Sequence, residues 1–153
     1  MTTITRVPTI PECTRAAKTL RRFMSPSQLQ CVAYACRGEE RDWFKAKMVE
    51  MAELCATMPK TYEQDGKGDQ AVAHLHYFTG GCDWYITERD AGDPDDDDDR
   101  QHQAYGVADI GHGPEIGYVS IDEITRAGAE LDLHFAPKTL EQVRLMCNAK
   151  QSP

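Results

Sequence analysis

A pair of adjacent glycines between two strand-like runs constrains the fold of this 153-residue chain more than any other feature. Residues 71–78 and 82–88 are rich in β-branched and aromatic side chains, and Gly80-Gly81 lies between them. Both glycines can adopt a positive φ, which the tight turn of an antiparallel hairpin requires. The sequence therefore predicts a β-hairpin over residues 71–88.

Further strand-like runs extend this hairpin. Residues 104–110 and 116–119 read as a third and a fourth strand, because the Gly-His-Gly-Pro segment at 111–114 is typical of a turn. Residues 131–135 alternate between apolar and polar side chains and predict a fifth strand. The second part of the chain is therefore expected to form a meander.

Helices are predicted before, within and after the strands. Ser25 begins a capping box, and apolar residues recur at helical spacing up to Gly38. A second helix, with a methionine-rich stripe interpreted as core, ends before Pro59. A short helix ends at Gly128, and a last one begins near residue 137. The predicted fold class is α+β: an N-terminal helical hairpin, then a mainly antiparallel sheet of about five strands with a short helix and a C-terminal helix on one face.

Charge is distributed unevenly along the chain, whose formal net charge is −8. Residues 1–60 hold ten basic and six acidic residues, whereas residues 61–153 hold seven basic and nineteen acidic residues. Little apolar periodicity precedes Ser25, so the basic N-terminal segment is predicted to be an arm that is flexible or loosely docked. The predicted organisation is an arm at 1–24, a helical hairpin at 25–58 and an α+β domain at 59–150 with an acidic loop at 90–100.

The sequence carries no signal for a membrane or for secretion. No apolar run approaches the roughly 18 to 20 residues that span a bilayer, and the first residues lack the apolar stretch of a signal peptide. The six cysteines form no CxxC pair and are interpreted as reduced thiols. The sequence therefore predicts a cytoplasmic protein without a membrane partner.

The strand segments are also similar to a known family. LHYFTGGCDWYITE (75–88), GYVSIDEI (117–124) and LDLHFAPKTL (131–140), introduced by MPKTYEQDG (58–66), resemble an uncharacterised domain family, family 2958, of bacterial plasmids, phages and integrative elements. The resemblance covers about residues 58–145. It implies an accessory protein of a mobile genetic element, often encoded near antirestriction or conjugation genes, and it brings no catalytic residues with it.

Two histidines have the spacing of metal ligands. His74 and His76 are two residues apart, so on one strand both rings project from the same face, as zinc ligands do. No HExxH or CxxC motif accompanies them. In the family that the chain resembles, the position of His74 is usually aromatic or apolar. The sequence therefore predicts no bound metal, and His74 and His76 are the residues that would hold one.

A second interpretation makes the protein a small hydrolase, either metal-dependent or using a cysteine, a histidine and an aspartate. Asp83, Asp109, Glu115 and Asp132 lie at predicted strand ends, and an alternating sheet could bring two of these carboxylates together with His76 or His134 for acid–base catalysis. The favoured set for such an enzyme is His76, Asp83 and His134. Cys82 beside a histidine would be the alternative nucleophile. Each of these residues also has an ordinary role in turns or packing, so the sequence favours a protein that is not an enzyme.

A tyrosine-rich sheet face is the favoured interaction surface. Tyrosines are typical of interfaces because the ring buries area while the hydroxyl stays in water. The alternative is that helices cover this face. The predicted interaction residues are Tyr77, Tyr85, Tyr105 and Tyr118.

The acidic loop suggests a third interpretation, imitation of nucleic acid. Its carboxylates could occupy the DNA-binding surface of another enzyme, whereas phosphate would repel the acidic domain itself, which argues against direct DNA binding. The acidic surface consists of Asp95, Asp96, Asp97, Asp98 and Asp99. No phosphate-binding glycine motif is present, so no cofactor is predicted.

Together these observations favour a non-enzymatic accessory protein of a plasmid, phage or integrative element that acts by protein–protein contact, with counter-defence among its roles. The protein partner is not identified by the sequence. The hydrolase and the nucleic-acid mimic remain the alternatives.

Overall fold

The computed structural model of the protein describes residues 6–151. The residue contacts divide the chain into two compact units. The boundary between them in the sequence lies between Thr57 and Met58. None of the helices in the described part of the chain is both long and apolar enough to cross a membrane.

The first unit consists of three helices. They are α1 (Ile10–Leu20), α2 (Pro26–Ala35) and α3 (Arg41–Thr57), and both α1 and α2 contact α3. The predicted capping box is confirmed, since the Ser25 hydroxyl oxygen accepts a hydrogen bond of 3.1 Å from the backbone N–H of Gln28. Met48 and Met51 in α3 are buried, which confirms that the methionine stripe belongs to the core.

Helix α1 corrects the prediction of a basic arm at 1–24. Cys13, Ala16 and Leu20 recur at helical spacing and are buried, and the Thr9 hydroxyl caps the helix by accepting from the N–H of Glu12 at 3.3 Å. The apolar stripe of this helix consists of few residues, and most of them are small. The basic residues around the stripe therefore obscured its helical periodicity in the sequence. Residues 1–5 of the predicted arm lie outside the described residues.

The second unit contains a five-stranded antiparallel sheet. Its spatial order is β5-β4-β3-β2-β6, and a separate short pair joins β1 to β7. The strands are β1 (Val72–Ala73), β2 (Leu75–Thr79), β3 (Cys82–Glu88), β4 (Ala104–Asp109), β5 (Pro114–Val119), β6 (Glu130–Leu131) and β7 (Lys138–Thr139). The helices are α4 (Ile121–Arg126) and α5 (Leu140–Gln151). The α+β class and the hairpin are confirmed, with φ of 48° at Gly80 and 85° at Gly81.

The predicted fifth strand is shorter than expected. Only Glu130–Leu131 pairs with β2. The chain then turns, because one carboxylate oxygen of Asp132 accepts a hydrogen bond of 2.9 Å from the backbone N–H of His134. The alternation that suggested a strand over 131–135 therefore belongs partly to a turn.

The two faces of the sheet are buried differently. On one face Tyr85 and Val107 form a core cluster with Leu140, Val143 and Cys147 of α5. On the other face Tyr77 and Ile86 are completely buried.

Candidate functional site

The second unit contains a pocket of about 550 Å³. This volume lies in the usual range for ligand sites. Three tyrosines, Tyr62, Tyr105 and Tyr118, line it, together with the acidic residues Asp65 and Glu88. Among the described residues that line the pocket there is no lysine, arginine or histidine.

The loop before β1 forms one wall, and hydrogen bonds hold it against the sheet. The side-chain amide of Gln64 donates to the carbonyls of Val72 and Thr87, each at 2.8 Å, and its oxygen accepts from the N–H of Val72 at 2.8 Å. The N–H of Thr61 donates to the carbonyl of Arg89 at 2.9 Å. A loop with so many long-range bonds presents a preformed wall.

Tyr62 has an unusual backbone conformation within this loop. Its φ is 79°, which is rare for a bulky residue and costs about 1–3 kcal/mol. The conformation directs the Tyr62 N–H to a carboxylate oxygen of Glu88, with which it forms a hydrogen bond. The Tyr62 and Tyr118 hydroxyls are 2.5 Å apart, and this bond raises the pKa of Tyr118. Both rings are therefore held in place at the pocket.

A β-bulge places Glu88 in the pocket. The register of β3 against β4 shifts between Ile86 and Glu88, so that Glu88 rather than Thr87 pairs with Tyr105. Without the shift, the glutamate side chain would point to the opposite face of the sheet. The close approach of the strands at this point requires Gly106, where a Cβ atom would lie 2.0 Å from the carbonyl oxygen of Tyr85.

Glu88 is a buried acid without a basic partner. Only 5% of the residue is exposed. Its hydrogen bonds come from the Tyr62 N–H and from the Thr87 hydroxyl, which lies 3.2 Å from the other carboxylate oxygen and 3.0 Å from the carbonyl of Tyr105. No ion pair joins Glu88 to a basic group within residues 6–151. The carboxylate therefore keeps acceptor capacity and an unbalanced charge.

A second polar cluster surrounds His76 on the same sheet face. Its Nε2 lies 2.7 Å from a carboxylate oxygen of Asp83, and its Nδ1 lies 2.9 Å from one of Asp132. Only the doubly protonated ring can donate to both carboxylates. The ring stacks on Tyr85 with centroids 4.7 Å apart.

Lys150 of α5 completes this cluster, which we call the His76 network: His76, Asp83, Asp132 and Lys150. The Lys150 ammonium donates to the second carboxylate oxygen of Asp83 and, at 3.3 Å, to the carbonyl of Gly81. Burial by itself raises the pKa of Asp83, but the hydrogen bonds from Lys150 and His76 outweigh it, and the net shift is downward. The network therefore connects the C-terminal helix to the first hairpin.

A thiol and a further carboxylate lie beside the network. Asp109 is buried and pairs with Asp83 across β3 and β4. Burial, followed by a hydrogen bond with Asp109, raises the pKa of Cys147 to about 11. Cys147 is therefore a protonated core thiol rather than a nucleophile at neutral pH.

The structure brings together two of the three residues of the predicted acid–base group. His76 and Asp83 form a hydrogen bond, but His134 is exposed, and its described bond to the network is the one from its backbone N–H to Asp132. Cys82 is half-buried and, one residue before Asp83 on the strand, projects from the opposite face. None of these four side chains lines the 550 Å³ pocket.

The two histidines that have the spacing of metal ligands, His74 and His76, do not share a site. His74 lies between β1 and β2, and burial lowers its pKa, while its Nδ1 has no hydrogen-bond partner. Both nitrogens of His76 are occupied by carboxylates. Within residues 6–151, no three potential ligands are grouped as a metal ion would require.

The prediction of one exposed tyrosine face is wrong for two of its four members. Tyr77 pairs with Trp84 and projects from the face opposite to Tyr85, and it is completely buried. Tyr85 is buried beneath α5. Tyr105 and Tyr118 remain accessible, the latter with 57% exposure, and their rings meet edge to face at 5.4 Å.

Sequence reasoning missed Tyr62 and Glu88, which complete this pocket. Tyr62 lies in an aperiodic loop, and the bulge that orients Glu88 has no signature in the strand pattern. The available signal was the segment MPKTYEQDG, one of the segments that carry the family resemblance, which contains Thr61, Tyr62 and Gln64 of the pocket wall.

The acidic loop is exposed, and its aspartates form local turns. Asp90, Asp93, Asp96 and Asp98 each accept a hydrogen bond from the backbone N–H two residues later, at 2.8–3.0 Å. Hydrogen bonds from Arg100 and then from His102 lower the pKa of Asp98. Part of the predicted acidic surface, Asp95, Asp96, Asp97, Asp98 and Asp99, is therefore used to shape the loop.

Fold and pocket define a small α+β domain built on an antiparallel meander with a tyrosine-lined acidic pocket. The chain belongs to the family described as Protein of unknown function (DUF2958), whose model matches residues 47–141. The matched stretch contains the whole pocket lining and, except for Lys150, the His76 network. No curated protein and no solved structure matches the chain.

Proposed function

We propose that the protein is a non-enzymatic module that acts by protein–protein contact and takes a short segment of its partner into the tyrosine pocket. The pocket itself carries this proposal: a preformed cavity of about 550 Å³ with Tyr62 and Tyr118 exposed at its edge. Exposed tyrosines beside a cavity are typical of protein interfaces, because rigid rings bury a large area with little loss of conformational entropy.

The distribution of reactive groups favours binding over hydrolysis. His76 and Asp83 have the chemistry of an acid–base pair, yet they bond to each other, to Asp132 and to Lys150. These bonds use both ring nitrogens of His76, so the histidine has no free lone pair with which to activate water. The network stabilises the helix–sheet contact, and the pocket is formed by other residues.

The cellular setting is the part of the proposal that comes from the family resemblance. A binding module of this kind suits an accessory protein of a plasmid, phage or integrative element that acts in the cytoplasm on a host protein, including a defence protein. Its net charge of −8 favours a basic partner surface.

Selection of binding peptides tests the proposal. The immobilised full-length protein is exposed to a displayed library of random 12-residue peptides, and enriched peptides are titrated against the wild type and the Tyr62→Ala/Tyr118→Ala double variant. We expect micromolar peptides that bind the double variant at least about tenfold more weakly. Tyr34→Ala is the matched control, because Tyr34 lies in α2 outside the pocket with 78% exposure.

Two results would overturn the proposal. One is a library that yields no peptide with saturable binding to the wild type. The other is a set of peptides that bind the double variant as tightly as the wild type, since their site would then lie elsewhere. Circular dichroism of each variant shows whether it is folded.

A further inference from the structure

We infer that the pocket recognises a cationic side chain of the bound segment, with arginine preferred over lysine. The inference rests on the proposed function, because it names the chemistry of the partner that the pocket takes.

The first support is the charge of the pocket wall. Glu88 contributes a carboxylate that is 95% buried, and no basic group within the described residues neutralises it. A second acid, Asp65, also lines the pocket. A buried charge without a partner is unfavourable, so a ligand that supplies the opposite charge gains binding energy by pairing with it.

The second support is the aromatic surroundings of that carboxylate. Tyr105 is the strand partner of Glu88, and the Tyr118 ring meets the Tyr105 ring at 5.4 Å. The electron-rich faces of tyrosine rings attract cations. Carboxylate and rings together therefore favour the same class of group.

The geometry favours arginine. Each carboxylate oxygen of Glu88 accepts one protein hydrogen bond, from Tyr62 and from Thr87, and each keeps a further lone pair. A planar guanidinium can donate to both oxygens while stacking on an aromatic ring, whereas an ammonium is a compact and more strongly hydrated point charge.

A purely structural role for Glu88 would not require a negative charge at this position. To hold the N–H of Tyr62, position 88 needs only a hydrogen-bond acceptor, and a glutamine oxygen can supply it. Glu88→Gln therefore keeps the acceptor and removes the charge. Glu115→Gln is the matched control, because Glu115 is exposed on β5 and does not line the pocket.

The experiment is an NMR titration of ¹⁵N-labelled full-length protein with the peptides acetyl-Gly-Xaa-Gly-amide, where Xaa is arginine, lysine or citrulline. Citrulline has nearly the shape of arginine without its charge. We expect the arginine peptide to shift the amide signals of Tyr62, Glu88 and Tyr118. We expect binding at least about tenfold weaker for citrulline and for Glu88→Gln, intermediate binding for lysine, and unchanged binding for Glu115→Gln.

Equal binding of the arginine and citrulline peptides, or unchanged binding to Glu88→Gln, would overturn the inference. So would an arginine peptide that shifts no pocket signal. These results are distinguishable from failure of the proposed function. If library peptides without arginine or lysine bind the pocket, the inference of a cationic ligand is wrong but the proposed binding function is retained. If no library peptide binds the pocket, the proposed function itself is wrong.

Discussion

Tyr62 adopts a left-handed backbone conformation that a bulky side chain disfavours. Its φ of 79° directs its N–H to Glu88 and its hydroxyl to Tyr118. Unfavourable backbone conformations of this kind concentrate at functional sites. At this residue, binding geometry and stability therefore have opposite requirements.

Replacing Tyr62 by asparagine tests this opposition. Asparagine adopts positive φ more readily, so we expect the free energy of unfolding to rise by about 1 kcal/mol while pocket binding is lost. Urea denaturation measures the first effect and peptide titration the second. Tyr62→Phe keeps both ring and backbone strain and is expected to stay within about 0.5 kcal/mol of the wild type. A loss of more than about 1 kcal/mol in Tyr62→Asn would contradict this expectation and show that the contacts of the Tyr62 ring and hydroxyl stabilise the fold by more than the backbone strain destabilises it.

At the scale of elements, the bulge in β3 depends on a close backbone approach from β4. A Cβ atom at Gly106 would lie 2.0 Å from the carbonyl oxygen of Tyr85 and 2.9 Å from Cα of Ile86. Both neighbours are backbone atoms of a central strand, so they cannot move away cheaply. The glycine therefore permits the register that exposes Glu88 to the pocket.

Gly106→Ala is accordingly expected to destabilise the protein by about 2–3 kcal/mol. Gly117→Ala is the control, because Gly117 pairs with Gly106 across β4 and β5 and its Cβ would meet nothing within 4 Å. This second substitution is expected to be neutral or to stabilise by up to about 1 kcal/mol. Chemical denaturation of both variants measures the difference. Equal effects of Gly106→Ala and Gly117→Ala on the free energy of unfolding would mean that the close approach of β3 and β4 at Gly106 does not require a glycine.

The contact between α5 and the first hairpin depends on the ion pair of Asp83 with Lys150. Asp83→Asn removes the charge of a carboxylate whose side chain is only 16% exposed and which binds both His76 and the half-exposed Lys150, and we expect a loss of about 1–2 kcal/mol at pH 7. Asp69→Asn is the control, because the ion pair of Asp69 with Arg144, also on α5, is about half-exposed. Its effect is expected to be below about 0.5 kcal/mol. Losses of equal size would show that the burial of Asp83 does not strengthen its ion pair.

The ion pair of Asp83 with Lys150 also predicts that the stability of the protein depends on pH. The folded pKa of Asp83 is lowered from 3.8, so its contribution is present above about pH 4 and is lost as the pH falls below that value. The hydrogen bond to Asp83 raises the folded pKa of Lys150 above 10.5, so its contribution is lost as the pH rises beyond that value. The difference in the free energy of unfolding between the wild type and Asp83→Asn should therefore become smaller both at acidic pH below about 4 and at alkaline pH above about 10.5. A constant difference from pH 2 to 12, measured by thermal unfolding, would contradict this.

At the scale of the whole molecule, the acidic loop contributes more to net charge than to folding. Its aspartates form turns through one side-chain oxygen, and asparagine can make the same bond. Replacing Asp95 to Asp99 together by asparagine should leave the melting temperature within about 3 °C of the wild type, although it removes five of the negative charges that give the chain its net charge of −8. Replacement by alanine removes both charge and turns, and a larger loss is expected. Identical results for the two sets would show that the turns are not stabilising.

The sequence determined those features that depend on near neighbours along the chain. Gly80-Gly81 specifies the hairpin turn, and Ser25 and Ser120 cap the helices that follow them, because each needs only residues within three positions. The family resemblance, likewise carried by contiguous segments, was confirmed.

Only the tertiary structure decided the pocket and the His76 network. Residues 76 and 132 are 56 positions apart, as are residues 62 and 118, and no local pattern encodes their pairing. Glu88 faces the pocket because one bulge shifts the strand register, and a shift of one residue exchanges the two faces of a strand. The period of the sequence gives the alternation of side chains, whereas the packing of distant strands decides which of them meet.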